Sequence, residues 1–170
     1  MIFAPEFCFR GVFLRCGMEI ERKFLVKYLP EDLDKAKSAE ISQSYISVDP
    51  VIRIRKSDDE YILTIKSKGD ISREEKEIFI SRREYENLLA KAETGAVMKR
   101  RYFYPLDGYT AEIDVYKGAL SGLMTVEVEF ESIEDAERFL PPDFFGEDVS
   151  RLPEYKNASL ALNGMPKSKR

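Results

Sequence analysis

Charged and apolar residues alternate with a period of two in stretch after stretch of this sequence. That pattern restricts the possible fold more than any other feature. In the first such stretch Glu19, Glu21 and Lys23 fall on one face, with Ile20 and Phe24 on the other. Successive side chains of a β-strand point to opposite faces, so one face here is ionic and the other mostly apolar. One stretch of this kind carries little weight, and its recurrence makes the pattern informative.

The alternation indicates about eight strands, and the sign of the charge is mostly uniform within each of them. The basic positions are Lys23, Arg53, Arg55, Lys66, Lys68, Lys99 and Arg101. The acidic positions are Glu19, Glu21, Glu75, Glu77, Glu112, Asp114, Glu127 and Glu129. Like charges that share a strand face repel each other, so each row needs groups of opposite sign nearby.

Two arrangements satisfy this pattern. In a sandwich the ionic faces would meet water, whereas in a closed sheet they would line the interior. Amphipathic helices predicted over residues 82–93 and 133–140 favour the closed sheet, because each needs an apolar sheet face to cover. We therefore predict a mainly β (α+β) fold, a closed antiparallel barrel with surface helices. Further short helices are predicted over residues 30–38 and 157–162.

Composition excludes several classes of function. The 27 basic and 31 acidic residues give a net charge of −4, without the basic excess of a nucleic-acid-binding protein. There is no His, so the commonest general base is missing. The two cysteines, Cys8 and Cys16, are too few for a zinc site, which needs about four ligands. Any acid–base chemistry must use Lys, Tyr, a carboxylate or metal-bound water.

Rows of bases and acids in one enclosed space suit a metal-chelated polyphosphate. Arg binds phosphate bidentately and Lys binds it as a point charge, while carboxylates bind hard cations such as Mg²⁺ or Mn²⁺. Phosphoryl transfer depends mainly on positioning and charge neutralisation, so it needs neither His nor Cys. No P-loop sequence is present, so side chains would have to hold the phosphates.

One domain is predicted over residues 18–164. Residues 1–17 lack periodicity, and we expect a non-native or disordered extension, or else a hydrophobic arm that packs on a partner in a homodimer. Residues 165–170 are expected to be a disordered basic tail. Glu6, Arg10 and Arg15 interrupt any signal-peptide core, and no apolar run is long enough to span a membrane. We expect a cytoplasmic protein with neither membrane nor nucleic-acid partners.

Several segments resemble, in order, the CYTH family, whose members are also called triphosphate tunnel metalloenzymes. They are EIERKFLV (19–26), RIR (53–55), LTIKSKG (63–69), SREEKEIFI (72–80), KRRY (99–102), EIDV (112–115), VEVEF (126–130) and EYKNASLAL (154–162). The resemblance covers residues 18–163 and is greatest to the bacterial inorganic triphosphatases. It implies an eight-stranded antiparallel tunnel with a C-terminal plug helix at one mouth.

The resemblance also implies roles for individual residues. The implied triphosphate ligands are Lys23, Arg53, Arg55, Lys66, Arg101 and Lys156, with Lys68 a weaker candidate near the tunnel mouth. Lys156 is nominated by the resemblance alone. The implied ligands for Mg²⁺ or Mn²⁺ are Glu19, Glu21, Asp114, Glu127 and Glu129, with Glu75, Glu77 and Glu112 in the same acidic belt.

The implied activity is metal-dependent hydrolysis of inorganic triphosphate to pyrophosphate and phosphate. Lys99 resembles the family's general base, and its alternative role is that of another phosphate ligand. The alternative hypotheses for an enzyme are a class IV adenylate cyclase and a thiamine or nucleoside triphosphatase. A polyphosphate-binding module is the non-enzymatic alternative, and the presence of all the acidic pairs favours catalysis over it.

Overall fold

The computed structural model describes residues 7–9, 12–66 and 72–167, with side chains over residues 20–66 and 75–167. Within these residues ten strands form one sheet. The strands are β1 Phe7–Phe9, β2 Val12–Val26, β3 Lys37–Val48, β4 Val51–Ser57, β5 Glu60–Lys66, β6 Ser72–Phe79, β7 Val97–Leu106, β8 Tyr109–Tyr116, β9 Met124–Glu129 and β10 Phe145–Asp148. The α-helices are α1 Arg82–Leu89, α2 Ile133–Arg138 and α3 Asn157–Asn163. Short 3-10 turns occupy Leu33–Lys35, Gly118–Leu120 and Pro153–Tyr155.

Eight of the strands follow one another around the sheet and return to β2. Their order is β2-β6-β5-β4-β3-β7-β8-β9, every neighbouring pair is antiparallel, and β9 pairs again with β2. On β2, residues 14–20 pair with β6 and residues 21–25 pair with β9. The predicted eight-stranded antiparallel tunnel architecture is confirmed. The two pairings lie on successive stretches of β2, so no continuous hydrogen-bonded ladder crosses that strand.

The apolar faces of the strands look outward and form the main core. Phe24 of β2, Ile113 of β8 and Val126 of β9 are all buried in one cluster. Phe144 and Phe145 pack on it from outside, with the Phe24 and Phe145 ring centroids 5.1 Å apart in a T-shaped contact. The predicted inversion, with apolar side chains outside the sheet and ionic ones inside, is therefore confirmed on this side of the molecule.

Arg22 fastens this outer layer to β2. Its guanidinium donates hydrogen bonds to the carbonyl oxygens of Ala136 (2.8 Å) and Phe139 (3.2 Å), at the end of α2. It also forms an ion pair of 2.7 Å with Asp148 of β10. The last carbonyls of a helix lack intrahelical partners, so a cation at that end is stabilising. Arg22 thus joins both α2 and β10 to β2.

The two predicted amphipathic helices form where their capping residues indicate. Ser81 accepts a hydrogen bond from the Glu84 backbone N–H (3.3 Å), and the Glu84 carboxylate accepts one from the Ser81 N–H (2.7 Å). This reciprocal pair is a capping box. Ser132 likewise accepts from the Asp135 N–H at the start of α2 (3.0 Å). Helix α1 ends at Leu89, four residues before the predicted end at Glu93.

The prediction of a helix over residues 30–38 is wrong. Only the 3-10 turn Leu33–Lys35 forms there, and β3 already begins at Lys37. Residues 37–43 pair with β7, and those ladder hydrogen bonds prevail over the helix-start signal of the acidic residues. Local propensity is a weak prior where a long-range pairing partner is available.

Helix α3 covers one end of the ionic interior. Leu160 is buried against a cluster that includes Val97 and Tyr116, which lie on the same strand faces as Lys99 and Asp114. The Tyr116 hydroxyl donates a hydrogen bond of 2.9 Å to the Asn157 side-chain oxygen at the start of α3. The C-terminal plug helix predicted from the family resemblance is confirmed.

The described part of the N-terminal segment is extended. Residues 12–17 belong to β2, and β1 pairs with the start of that strand. That residues 1–17 are either a non-native extension or a hydrophobic arm stays a prediction. The same holds for disorder of the tail, whose last three residues lie outside the described residues. Within the described residues, no helix has the length and apolarity needed to cross a membrane.

Phe24→Ala tests the outward-facing core. The Phe24 side chain is 1% exposed, so we expect truncation to lower the free energy of unfolding by about 3–5 kcal/mol. Leu140→Ala is the matched control, since Leu140 is 87% exposed, and its effect should stay within about 0.5 kcal/mol. Urea unfolding followed by circular dichroism gives both values. Equal effects would mean that the apolar faces do not form the core.

Candidate active site in the ionic tunnel

The charged side chains predicted to line the tunnel are largely buried. Those least exposed to solvent are Lys23, Arg53, Lys66, Lys99, Arg101, Asp114 and Glu127. They come from six of the eight strands of the ring, and alternation along each strand places them on its inner face. Burial of so many charges is costly unless each one has a partner, so their contacts decide what the interior can do.

Arg101 is the centre of the larger ionic cluster. Its guanidinium makes a bidentate contact with Asp114, with both N–O distances 2.7 Å, and a 2.5 Å contact with Glu127. It also donates to Glu112. Lys23 pairs with Glu127 at 3.0 Å, and Lys99 pairs with Asp114. We call these six residues the Arg101 cluster.

The pKa values of the Arg101 cluster show that its ion pairs outweigh the cost of burial for most members. Burial disfavours the charge on Arg101, yet Asp114 and the other carboxylates hold its pKa well above the usual range. Burial likewise disfavours the Glu127 carboxylate, and Lys23, Arg101 and Lys99 bring its pKa well below the usual range. These residues remain charged across the physiological range of pH.

Lys99 is the exception. It is 1% exposed, and burial followed by repulsion from Arg101 lowers its pKa to about 8, although Asp114 and Glu127 oppose the shift. Its ammonium also lies 5.5 Å from the centre of the Tyr116 ring. A lysine with this pKa is partly neutral at mildly alkaline pH, so it can accept a proton.

A second ionic cluster occupies the wall made by β4, β5 and β6. Arg53 donates to Thr64 (2.9 Å), Glu77 (3.2 Å) and Glu75 (3.4 Å). Lys66 pairs with Glu75 at 2.5 Å. We call these five residues the Arg53 cluster. Glu75 and Glu77 therefore neutralise bases of their own wall.

Arg55 lies on the same face as Arg53 and adds positive charge to this wall, which Glu77 and Glu75 partly offset. Burial, followed by repulsion from Arg53, lowers the pKa of Arg55. The Nε atoms of both Arg53 and Arg55 are buried and have no hydrogen-bond partner. A buried guanidinium N–H without an acceptor is unfavourable, so this part of the tunnel is suited to bind an anion.

Carboxylates face one another where β9 meets its neighbours. Glu129 is directly opposite Glu21 of β2, and Glu127 is directly opposite Glu112 of β8. Oxygen ligands of this kind are those that Mg²⁺ prefers, and Mg²⁺ is usually held by one or two carboxylates together with substrate phosphates. Among the residues whose side chains are described, no three acidic side chains by themselves form a metal-binding group. The donor set therefore fits a cation that takes further oxygens from a ligand.

Some predicted site residues are not brought into these clusters. Glu19 lies in β2 opposite Arg73, but its side chain is not among those described, and Lys68 lies outside the described residues. Glu129 is exposed at the end of β9. Lys156 is half-buried immediately before α3. Their assignments stay predictions.

Sequence reasoning missed several neutral residues of the interior. Gln43 and Tyr45 of β3 are buried, and the Gln43 side-chain N–H donates to the Tyr45 hydroxyl at 3.1 Å. Burial raises the pKa of Tyr116 to about 12, so its hydroxyl stays protonated. The site predicted from the sequence contains only charged residues, so it leaves out neutral polar side chains on the same faces. The period-two spacing of Gln43 and Tyr45 is the signal that could have found them.

Asp114→Asn tests whether mutual neutralisation stabilises the tunnel. The change leaves the buried Lys99 and Arg101 short of a negative partner, so we expect a loss of about 3–5 kcal/mol in the free energy of unfolding. Glu147→Gln, an exposed carboxylate, is the control and should change it by less than about 0.5 kcal/mol. Urea unfolding in EDTA measures both. An unchanged free energy of unfolding in Asp114→Asn would show that Lys99 and Arg101 do not need the Asp114 charge.

The sequence matches a known family and characterised relatives. The model of the CYTH domain matches residues 17–158. An inorganic triphosphatase from Nitrosomonas europaea is 43% identical over 149 residues, covering 85% of this chain and 97% of that protein. An inorganic triphosphatase from Acetivibrio thermocellus is 34% identical over 153 residues, covering 86% of this chain and 95% of that protein.

A solved structure agrees with these matches. The crystal structure of an inorganic triphosphatase superposes with a TM-score of 0.65 at 40% sequence identity, over 85% of this chain and 97% of that one. The fold, the family model and the sequence relatives all agree with the family resemblance that the sequence motifs indicate. That resemblance is therefore confirmed. The chain belongs to the CYTH domain family.

Proposed function

We propose that this protein hydrolyses inorganic triphosphate to pyrophosphate and phosphate inside its ionic tunnel. The observation that carries the proposal is that the Nε donors of Arg53 and Arg55 are buried and have no partner, in a fold whose curated relatives are named inorganic triphosphatases. A chain of phosphates offers acceptor oxygens at regular intervals, which suits guanidinium groups on neighbouring positions of one strand.

The proposed triphosphate ligands are the bases of both clusters other than Lys99, together with Arg55. Lys23 and Arg101 would hold the phosphates from one wall, and Arg53, Arg55 and Lys66 from the other. These bases are already desolvated by the fold, so they interact with an entering anion more strongly than surface lysines would. Lys68 and Lys156 complete the proposed set on the family resemblance alone.

Membership of the family implies dependence on a divalent metal. We propose Mg²⁺ or Mn²⁺, held by Glu21, Glu127 and Glu129 with Glu19. Asp114, Glu112, Glu75 and Glu77 are further members of the predicted set. When bound, such a cation supplies neutralisation of the phosphate charge. Asp114 is the least suited of the set, since it is fully buried and both of its oxygens already accept from Arg101.

Lys99 is the proposed general base. Water attacks the terminal phosphorus, the bond from that phosphorus to its bridging oxygen breaks, and pyrophosphate leaves. The proton released by the water passes to the Lys99 Nζ. The lowered pKa of about 8 supports this role, because a neutral amine is available without a large energetic cost.

A substrate panel tests the activity. Phosphate release should be fastest with tripolyphosphate and slower with ATP and thiamine triphosphate, each measured with Mg²⁺, Mn²⁺ or EDTA. We expect equal amounts of pyrophosphate and phosphate, and no turnover in EDTA. Cyclic AMP in the ATP reaction would instead identify an adenylate cyclase, and binding of tripolyphosphate without turnover would identify a binding module.

Lys99→Arg separates the base from the phosphate-ligand role. Arginine keeps the positive charge but cannot become neutral, so we expect kcat for tripolyphosphate to fall at least about 100-fold with KM nearly unchanged. Lys91→Arg, at an exposed position, is the control and should match the parent protein. A raised KM with kcat retained would make Lys99 a phosphate ligand.

The proposal also includes the expectations for substrate class, cellular location and partners. The substrate is a small-molecule triphosphate in the cytoplasm, without a nucleic-acid or membrane partner, and the enzyme can act as a homodimer. Nothing in the chemistry of the tunnel requires a second subunit, since the two ionic clusters come from strands of one chain.

A further inference from the structure

Three buried polar atoms without a hydrogen-bond partner stand out among the described side chains, and they belong to one patch. They are the Gln43 Oε1, the Arg53 Nε and the Arg55 Nε. Gln43 is directly opposite Arg55 across the β3–β4 ladder, and Tyr45 is directly opposite Arg53. Residues opposite each other in a ladder are close neighbours on the same face. The unpartnered atoms therefore mark one location on the tunnel wall.

The chemistry of the patch calls for a ligand that both accepts and donates. The two guanidinium N–H groups need an acceptor, which a phosphate supplies. The Gln43 Oε1 needs a donor, and a fully ionised phosphate has none. In the opposite amide orientation, an NH₂ group would be left unpartnered next to two guanidiniums that can only donate, so the oxygen is the group that suits this site. Water next to a bound phosphate meets both needs.

Gln43 also lies next to the proposed general base. Across the β3–β7 ladder Ile41 is opposite Lys99, and Gln43 is opposite Val97. Gln43 is therefore the diagonal neighbour of Lys99 on the inner face. Val97 in turn contacts the cluster under α3, so this position is towards the covered end of the tunnel.

We propose that Gln43 positions the attacking water. Its Oε1 accepts one hydrogen bond from the water, the Lys99 Nζ accepts the other, and the water oxygen faces the phosphorus held by Arg53 and Arg55. Gln43 is 0% exposed, and its hydrogen bond to Tyr45 fixes the amide. The step is that of the proposed function, on which this inference rests: the proton goes to Lys99, and Gln43 neither gains nor loses one.

Gln43→Met tests the role, since methionine has a similar length and no acceptor of comparable strength. We expect kcat for tripolyphosphate to fall about 10- to 100-fold, with KM and the calorimetric Kd in EDTA within about 2-fold. The melting temperature should hold or rise, because the change removes a buried unsatisfied oxygen. Ser44→Ala is the control: Ser44 is equally buried on β3 but on its other face, and kcat should be unchanged.

Gln43→Glu is a second, independent test of the role of Gln43. A carboxylate still accepts from water, but its charge competes with phosphate for Arg53 and Arg55. We therefore expect KM to rise and kcat to fall less than in Gln43→Met. An unchanged kcat in Gln43→Met, or a raised Kd with kcat retained, would overturn the inference while the parent protein's hydrolysis of tripolyphosphate stood. Failure of the parent protein to hydrolyse any triphosphate would remove the proposed function as well.

Discussion

Mutual neutralisation of charges in an enclosed interior is the interaction on which the rest of this structure depends. Arg101 and Asp114 are buried together, and neither could remain ionised there alone. A buried ion pair adds little net stability compared with apolar packing, so the stability must come from elsewhere. It comes from the apolar faces outside the strands, where the main core around Phe24 is covered by α2 and the β10 segment. The fold is in this sense inverted, because the buried apolar core surrounds the sheet and the ionic side chains occupy its centre.

β2 has a special place in this arrangement, because it is where the sheet returns on itself. Its inner face supplies Lys23 to the Arg101 cluster through Glu127, and its outer face supplies Phe24 to the core and Arg22 to the end of α2. Adjacent residues of one strand thus hold the ionic interior and the apolar exterior in fixed relation. A one-residue shift of register would exchange the two faces, and burial on both sides makes such a shift very unfavourable.

Alternation allowed the inner and outer faces to be predicted from the sequence, because the direction of a strand side chain is a local property. Partner choice could not be predicted in this way. That Arg53 meets Glu77, or that Arg101 meets three carboxylates, depends on register between strands distant in sequence. The prediction of a helix over residues 30–38 was wrong for the same reason, because residues 37–43 pair with β7. Period-two spacing places Gln43 on the inner face, but a neutral polar residue does not reveal a role until its neighbours are known.

The resting ion pairs bear on how a polyanion and a cation would enter together. A phosphate that binds Arg101 must compete with Asp114 and Glu127 for the same N–H donors. A carboxylate displaced in this way would be left buried without a partner, which is strongly unfavourable. A divalent cation held by the displaced carboxylate would neutralise that carboxylate and part of the phosphate charge. On the proposed function, the requirement for a metal therefore follows from the charge balance of the tunnel itself, since each ligand binds less favourably alone than together with the other.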